Sequence, residues 1–357
     1  MRKNFWKNKR VLITGHTGFK GSWLTIILSN LKAKIYGYAL DPISKPNFFD
    51  DLKLSKFLVK DFREDILNKK KLDTVIKKYK PQIIFHLAAQ SSVLVSYKTP
   101  KDTINVNVIG TINVLDVAKK YNFIKSITVV TTDKVYLNLE KKIPFKEGDS
   151  LGGHDIYSGS KAAAEIVAQS YKKSFFEKIN CKIATVRSGN CIGGGDFTKD
   201  RIVKDCAESF LKNKNLTIRY PNATRPWQHV MEPLFGYLKL SEKLFNGEKF
   251  EGAWNFGPKN KSNLKVIEVA KFGKRHLNSN SKILVKKSKL YESTNLSLNS
   301  SKSFNKLKWK TRMNAKQALS LSFNWYKFFN DNHSETKVIN FTISQINEYI
   351  KKFKIKI

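Results

Sequence analysis

Tyr157 and Lys161 stand one helical turn apart, so on a helix they share a face. A cation held near a phenol lowers its pKa from the ordinary value of about 10, and the resulting phenolate can take a proton from an alcohol. The spacing recurs in so lysine-rich a chain at Tyr97/Lys101 and Tyr121/Lys125. Tyr97, however, is followed by Pro100, and Tyr121 closes a predicted helix. Only Tyr157 opens a helix beyond the C-terminal end of a predicted strand, where a doubly wound sheet carries its active site. That strand runs out through Thr131-Thr132-Asp133-Lys134-Val135-Tyr136. A hydroxyl, an acid and a base at consecutive positions, Thr132, Asp133 and Lys134, can serve three steps of one reaction. They would equally suit a solvated turn with a capping aspartate, and this stretch by itself leaves both readings open.

A second constellation is Thr14-Gly15-His16-Thr17-Gly18-Phe19-Lys20-Gly21. Its three glycines permit a tight turn, close backbone approach to a pyrophosphate, and close helix–strand packing. The helix N-terminus then offers free N–H groups to the anion. An apolar strand before it and an amphipathic stretch after it supply the context that a glycine triplet needs. Gly15, His16, Thr17, Gly18, Phe19 and Gly21 are therefore expected to bind a dinucleotide. Asp41, about twenty residues past Gly21, is placed to accept from the adenosine ribose hydroxyls, and its charge favours NAD over NADP. Asp65 and Ile66, then Leu87, Ala88 and Ala89, are expected to contact the adenine and the cofactor riboses. Tyr157 and Lys161 also belong to the cofactor site.

The elements that must position these residues follow from hydrophobic period. Strands are predicted over Arg10–Gly15, Lys34–Leu40, Lys56–Lys60, Gln82–Leu87, Ser126–Thr132 and Lys182–Val186. Helices are predicted over Ser22–Leu31, Leu67–Lys78, Thr103–Lys119, Tyr157–Phe176 and Pro233–Phe245. Ile339, Ile343, Ile346, Ile350 and Phe353 repeat at helical spacing near the end. Alternating strands and helices predict an α/β fold, a Rossmann-type doubly wound parallel sheet, with a smaller C-terminal α/β substrate lobe. The rhythm breaks near residue 187. Residues 1–187, with about 228–257, are expected to bind the dinucleotide, and 188–227 with 258–357 to form the lobe for substrate.

The chain of 357 residues carries a formal charge of +37, which raises the question of a nucleic-acid partner. Lysine is spread from end to end rather than gathered on a stripe. The expectation is a solvated, lysine-rich surface that helps attract an anionic substrate, with no nucleic acid bound. No apolar run is long enough to span a membrane, and the basic start lacks the apolar stretch of a signal peptide. The three cysteines are an odd number without metal-ligand spacing, which fits a reducing cytoplasm and no bound metal.

Together these residues resemble the extended short-chain dehydrogenases/reductases and, within them, the CDP-glucose 4,6-dehydratase family. The stretches that carry the likeness are Gly15 to Leu24, Leu151-Gly152-Gly153-His154-Asp155-Ile156-Tyr157-Ser158, Gly189 to Asp196 with Asp200-Arg201, Arg225 to Leu234, Trp254 to Pro258 and Phe341 to Ile346. Ile156 stands where that family has proline, and Val135 where it has cysteine.

The resemblance implies an internal redox elimination on a nucleotide sugar with NAD as cofactor. Tyr157, helped by Thr132 and Lys161, would deprotonate the glucose C-4 hydroxyl. Asp133 would protonate the departing C-6 hydroxyl, and Lys134 would take the C-5 proton, which requires a neutral amine. Asn190, Arg201 and Arg225 would hold the sugar nucleotide. A homodimer is also implied, as is a place in surface-glycan deoxysugar synthesis. Sister activities on dTDP-, UDP- or GDP-sugars, a 4-epimerase, and a non-catalytic cofactor-binding protein are the alternatives. Asp133 and Lys134 argue against the epimerase, which needs no acid–base pair for elimination.

Overall fold

The computed structural model describes residues 2, 4–139, 143–258, 263–286, 296–332 and 334–355. Strands β1 (Arg10–Thr14), β2 (Lys34–Ala39), β3 (Lys60–Arg63), β4 (Ile83–His86), β5 (Ser126–Val130) and β6 (Lys182–Arg187) lie in one sheet. Three two-residue or three-residue strands follow: β7 (Cys191–Ile192), β8 (Leu216–Ile218) and β9 (Thr224–Pro226). After them come β10 (Gln228–His229), β11 (Gly252–Asn255), β12 (Asn263–Lys265) and β13 (Ile283–Val285). The main sheet has seven strands in the order β11-β6-β5-β4-β1-β2-β3. Every neighbouring pair within it is parallel. This is the doubly wound α/β architecture expected.

The strands read as continuous apolar runs because both faces are covered. Val11 and Ile13 of β1 pack into the core on one face with Trp23, Leu24 and Ile27 of the helix Phe19–Asn30. Leu12, between them, joins Leu72, Ile76, Val114 and Leu115 on the other. This is the period-two alternation of a strand buried on both sides. Pairs β10–β7, β12–β9 and β13–β8 form small separate sheets.

The strand expected over Lys56–Lys60 is displaced. Leu54–Phe57 wind into a 3-10 turn after Lys53, which takes a left-handed conformation (φ 45°), and β3 starts only at Lys60. The apolar run Phe57-Leu58-Val59 imitates a strand, but Leu54 anchors the turn in the core while Val59 stays exposed. The helix expected from Thr103 begins earlier, with Pro100 in its first turn, and passes through a π-helical turn at Asn105–Ile109 before continuing as Gly110–Ala118. Proline suits that start because the first-turn N–H has no helical partner. The seventh strand, β11, and the helix Ala315–Asp331 were not predicted; the C-terminal helix was, and spans Glu335–Lys352.

Candidate active site

The chain leaves β5 at Val130 and turns through Thr132, whose extended backbone caps a short 3-10 turn over Asp133–Val135. The Thr132 Oγ1 accepts from the Lys134 amide at 3.3 Å and lies 3.0 Å from Asp133 Oδ1. It is also a hydrogen-bond partner of the Tyr157 phenol. One hydroxyl thus touches the Asp133 carboxyl, the Lys134 backbone and the Tyr157 phenol.

Tyr157 stands in the first turn of the helix Ile156–Ser174. Asp155 starts that helix, accepting from the Ser158 amide at 2.9 Å and the Ser158 hydroxyl at 2.7 Å, so the helix begins without the proline that Ile156 replaces. Asn107, in the π-turn, donates to Ser160 Oγ at 2.8 Å and braces the same turn from the opposite side. Deeper down, Glu165 forms a two-pronged pair with Arg187, at 2.9 Å for each bond, and accepts from Thr131 and Thr185 at 2.6 Å. Both side chains are fully buried. This cluster ties the tyrosine helix to the ends of β5 and β6, which fixes Lys161 one turn above it.

Thr132, Asp133, Lys134, Tyr157 and Lys161 all line a single cavity of about 1000 Å³. Burial raises the Asp133 carboxyl above its ordinary range, against the opposing pull of Lys134, Thr132, Arg225 and Lys20. Its Oδ2 has no hydrogen-bond partner. A carboxyl whose burial disfavours its charged form, with one oxygen unpartnered, is suited to give a proton. The Tyr157 phenol is likewise pushed up by burial, opposed by Thr132, Lys20 and Arg201. Lys161 is pushed down to about 8, by burial first and then by Lys20, with Glu165 opposing. Its ammonium donates to the Val130 carbonyl at 3.3 Å.

The same cavity runs past Gly15, Thr17, Gly18, Phe19 and Gly21 to Asp41, Asp65, Ile66, Leu87, Ala88 and Ala89. The glycines fit a diphosphate. Gly15 has φ 75°, and a Cβ there would lie 2.6 Å from the Ala88 amide nitrogen, while one at Gly21 would lie 2.2 Å from the Gly15 carbonyl. Gly18 caps the helix Phe19–Asn30 without a side chain, and its first turn holds no acid, so the amides there face an anion uncontested. Asp41 is largely exposed and pairs with Arg63 at 2.9 Å. Arg63 also bonds Asp50 and Asp61, so three carboxylates share one guanidinium and the ribose end keeps negative charge.

His16 departs from expectation. Its side chain is fully buried, with Nε2 2.7 Å from Asp61 Oδ1 and its ring edge-on to Phe49. Gly37 of β2 makes the room, since a Cβ there would lie 2.5 Å from the imidazole. The residue braces β2 and β3 instead of lining the cavity, and burial lowers its pKa.

At the other end, Asn190, Arg201 and Arg225 line the cavity as predicted. Arg225 is buried, with Nη1 on the Thr224 carbonyl at 3.0 Å, whereas Arg201 is exposed and 3.7 Å from Asp196. Two cations that sequence reasoning missed are also there. Arg219, paired with Asp200 at 2.8 Å, lines the cavity. Lys20, inside the glycine motif, reaches across to Ser188 Oγ at 2.8 Å. The signal for Lys20 was its position in a helix turn that faces the site.

Residues 12–321 match the family described as GDP-mannose 4,6 dehydratase. The chain belongs to that family. Among curated relatives of this 4,6-dehydratase, the CDP-glucose 4,6-dehydratase of Salmonella typhimurium (strain LT2) is 40% identical over 333 residues, covering 91% of this chain and 92% of that one. The dTDP-D-glucose 4,6-dehydratase of Dictyostelium discoideum is 30% identical across 59% of this chain and 50% of its own. Among solved structures, the dTDP-glucose 4,6-dehydratase of Bacillus anthracis in complex with NAD superposes with a TM-score of 0.75 at 25% identity, covering 89% and 96% of the two chains. The UDP-glucose 4-epimerase of Thermotoga maritima reaches 0.79 at 19% identity, covering 89% and 98%, which shows a shared fold.

Proposed function

We propose that this nucleotide-sugar 4,6-dehydratase acts on CDP-D-glucose, with NAD as its cofactor, and releases CDP-4-dehydro-6-deoxy-D-glucose and water. The observation that carries the reading is Asp133, buried with an unpartnered Oδ2, beside Lys134 and in one cavity with Tyr157. A 4-epimerase has no use for that acid–base pair. The choice of CDP rests on the 40% identity with the Salmonella enzyme.

When bound, NAD would supply a hydride acceptor for C-4 and a hydride donor for C-6. The protein's own groups move the protons. Tyr157, hydrogen-bonded to Thr132, takes the C-4 hydroxyl proton, with Lys161 and Lys20 as nearby positive charge. The ketone at C-4 acidifies C-5, from which Lys134 takes the proton. Asp133 protonates the C-6 oxygen as the C–O bond breaks, and water leaves. A proton returns to C-5 when C-6 is reduced, so the sugar undergoes no net redox change. Gly15, Thr17, Gly18, Phe19 and Gly21 would hold the diphosphate of the cofactor, and Asp41, Asp65, Ile66, Leu87, Ala88 and Ala89 its adenosine and riboses. Asn190, Arg201 and Arg225 would hold the sugar nucleotide, the guanidiniums suiting its diphosphate.

In this reading residues 1–187 with about 228–257 serve the dinucleotide, and 188–227 with 258–357 the substrate. Exposed Tyr97, Ile104, Ile109 and Ile166 support a homodimer through these helices, which a mass measurement in solution tests. Among the described residues no helix is long and apolar enough to cross a membrane.

The deciding experiment incubates purified protein and NAD separately with CDP-glucose, dTDP-glucose, UDP-glucose and GDP-mannose. A 4-keto-6-deoxy product from CDP-glucose alone is expected. Faster turnover of another nucleotide, or C-4 inversion without loss of water, would overturn the proposal.

A further inference from the structure

An acid that the proposed reaction does not use lines the cavity. It is Asp205, in the first turn of the helix Ile202–Leu211, and Lys199, Arg201, Lys204 and Arg219 line the same cavity. Two neighbouring carboxylates have cations of their own. Glu208 Oε2 lies 2.6 Å from Lys204 Nζ, and Asp200 Oδ1 lies 2.8 Å from Arg219 Nη2. Asp205 Oδ1 is 3.7 Å from Lys204 Nζ, longer than a hydrogen bond. A carboxylate in a cavity that receives a diphosphate repels it. Its own loss of water goes uncompensated unless the ligand brings a donor. The acid therefore suits a neutral part of the substrate that carries N–H groups.

Arg201 sets which part that is. It starts the helix, and its carbonyl accepts from the Asp205 amide at 2.8 Å. The acid thus stands one turn, about 5.4 Å, along the helix from a residue assigned to the diphosphate. Asp133, Lys134 and Tyr157 take the sugar on one side of that diphosphate. On its other side a nucleotide carries ribose and base. Strand β8 packs against the same helix, and its Thr217, with Tyr220 just beyond, also lines the cavity.

Resting on the reading that the sugar is carried by CDP, we propose that Asp205 selects the base: its carboxylate accepts a hydrogen bond from the exocyclic amine of cytosine. Uracil and thymine have a carbonyl oxygen at that position. An ionised carboxylate only accepts, so it meets that oxygen acceptor to acceptor. Burial pushes the Asp205 carboxyl up to about 6, with Asp200 and Glu208 adding and Lys204 and Arg219 opposing. At about pH 8 it is therefore ionised.

The test titrates the NAD-saturated protein with CDP, UDP and GDP at about pH 8 by calorimetry, in the native chain, Asp205→Asn and Asp205→Ala. The native protein should bind CDP at least about tenfold more tightly than UDP, the effect of one charge-assisted hydrogen bond. Asparagine offers both a donor and an acceptor, so it should weaken CDP, strengthen UDP and bring the two within about threefold. Alanine should also close the gap by weakening CDP, and it carries the test if the asparagine variant does not fold. A merely structural Asp205 would lower both affinities by one factor and keep their ratio. That result, a native protein that does not separate CDP from UDP, or tighter binding of GDP than of CDP would each overturn the inference. Dehydration of CDP-glucose tests the parent reading separately. Turnover with a ratio that the variants leave unchanged removes the role of Asp205 alone. A CDP preference that Asp205→Asn abolishes, in a protein without turnover, removes the reaction and keeps the base selection.

Discussion

Replacing Asp133 by asparagine separates the acid's chemistry from its packing. Asn is isosteric, its Oδ1 can still meet Thr132, and the cavity wall keeps its shape. What disappears is the proton that Oδ2, unpartnered and buried, can deliver to a departing hydroxyl. General acid catalysis by a positioned side chain is worth roughly 10²–10⁴-fold, which is about 2.7–5.5 kcal/mol in barrier height. The upper part of that range is expected here, because burial raises the carboxyl above its ordinary range and its Oδ2 is unpartnered. Oxidation at C-4 does not need the acid, so the two half-reactions must part company. Single-turnover mixing of Asp133→Asn with NAD and CDP-glucose should show the reduced nicotinamide absorbance rising at a near-native rate and then persisting, while release of 4-keto product slows by the full factor. Overall turnover within about threefold of native would refute the role of Asp133. A slow first phase would place it in the oxidation step instead.

Other perturbations test the frame around that acid. Gly189→Ala would set a Cβ 2.9 Å from Asp133 Oδ2 and 3.1 Å from Pro226; kcat should fall at least about tenfold with an unchanged melting temperature. Arg187→Met leaves the buried Glu165 carboxylate unpaired and should cost about 3–5 kcal/mol in urea unfolding, part of which Glu165→Leu in the same chain restores. Asp41→Ala with Asp50→Ala frees two prongs of Arg63 at the ribose end, so the ratio of NADP to NAD affinity, read by titration calorimetry, should rise at least about tenfold. Lys161 is cationic below about pH 8 and neutral above it; activity that depends on its charge should decline as pH rises through that value, and the alkaline limb should be absent from Lys161→Met.

The parts of this site that the sequence made legible are those whose local chemistry is self-contained. A glycine turn between strand and helix carries its meaning locally, whereas Thr132-Asp133-Lys134 at a strand end stayed open between a reacting group and a capped turn until the rest of the chain was read with it. Residues whose roles depend on what crosses over from elsewhere were hidden. Lys20 reads as one more lysine until β6 brings Ser188 to it. His16 reads as a loop residue beside a phosphate, yet the absence of a side chain at Gly37 draws its ring under the sheet. The β3 error has the same origin: Leu54 finds a place in the core, so the turn at Leu54–Phe57 prevails over the strand preference of Phe57-Leu58-Val59. Glu165 and Arg187 are twenty-two positions apart, and no spacing rule pairs a mid-helix acid with the last residue of a strand.

The charge of the chain follows the same division between local and global. A surplus of lysine sets a field that any anion feels, but it cannot choose a reaction. The choice is made where cations lose water and must answer to one another. Lys161, inside the cavity wall, is pushed toward neutrality by its burial first and by Lys20 second; Lys20, against its own burial, is held above the ordinary lysine range by Cys191, Tyr237, Tyr157 and Asp133. One ammonium is thus pushed toward its charged form and its neighbour toward its neutral form. That asymmetry is what a reaction needs when it first removes a proton from an alcohol and then gives one to a leaving group, within a single site and at one pH.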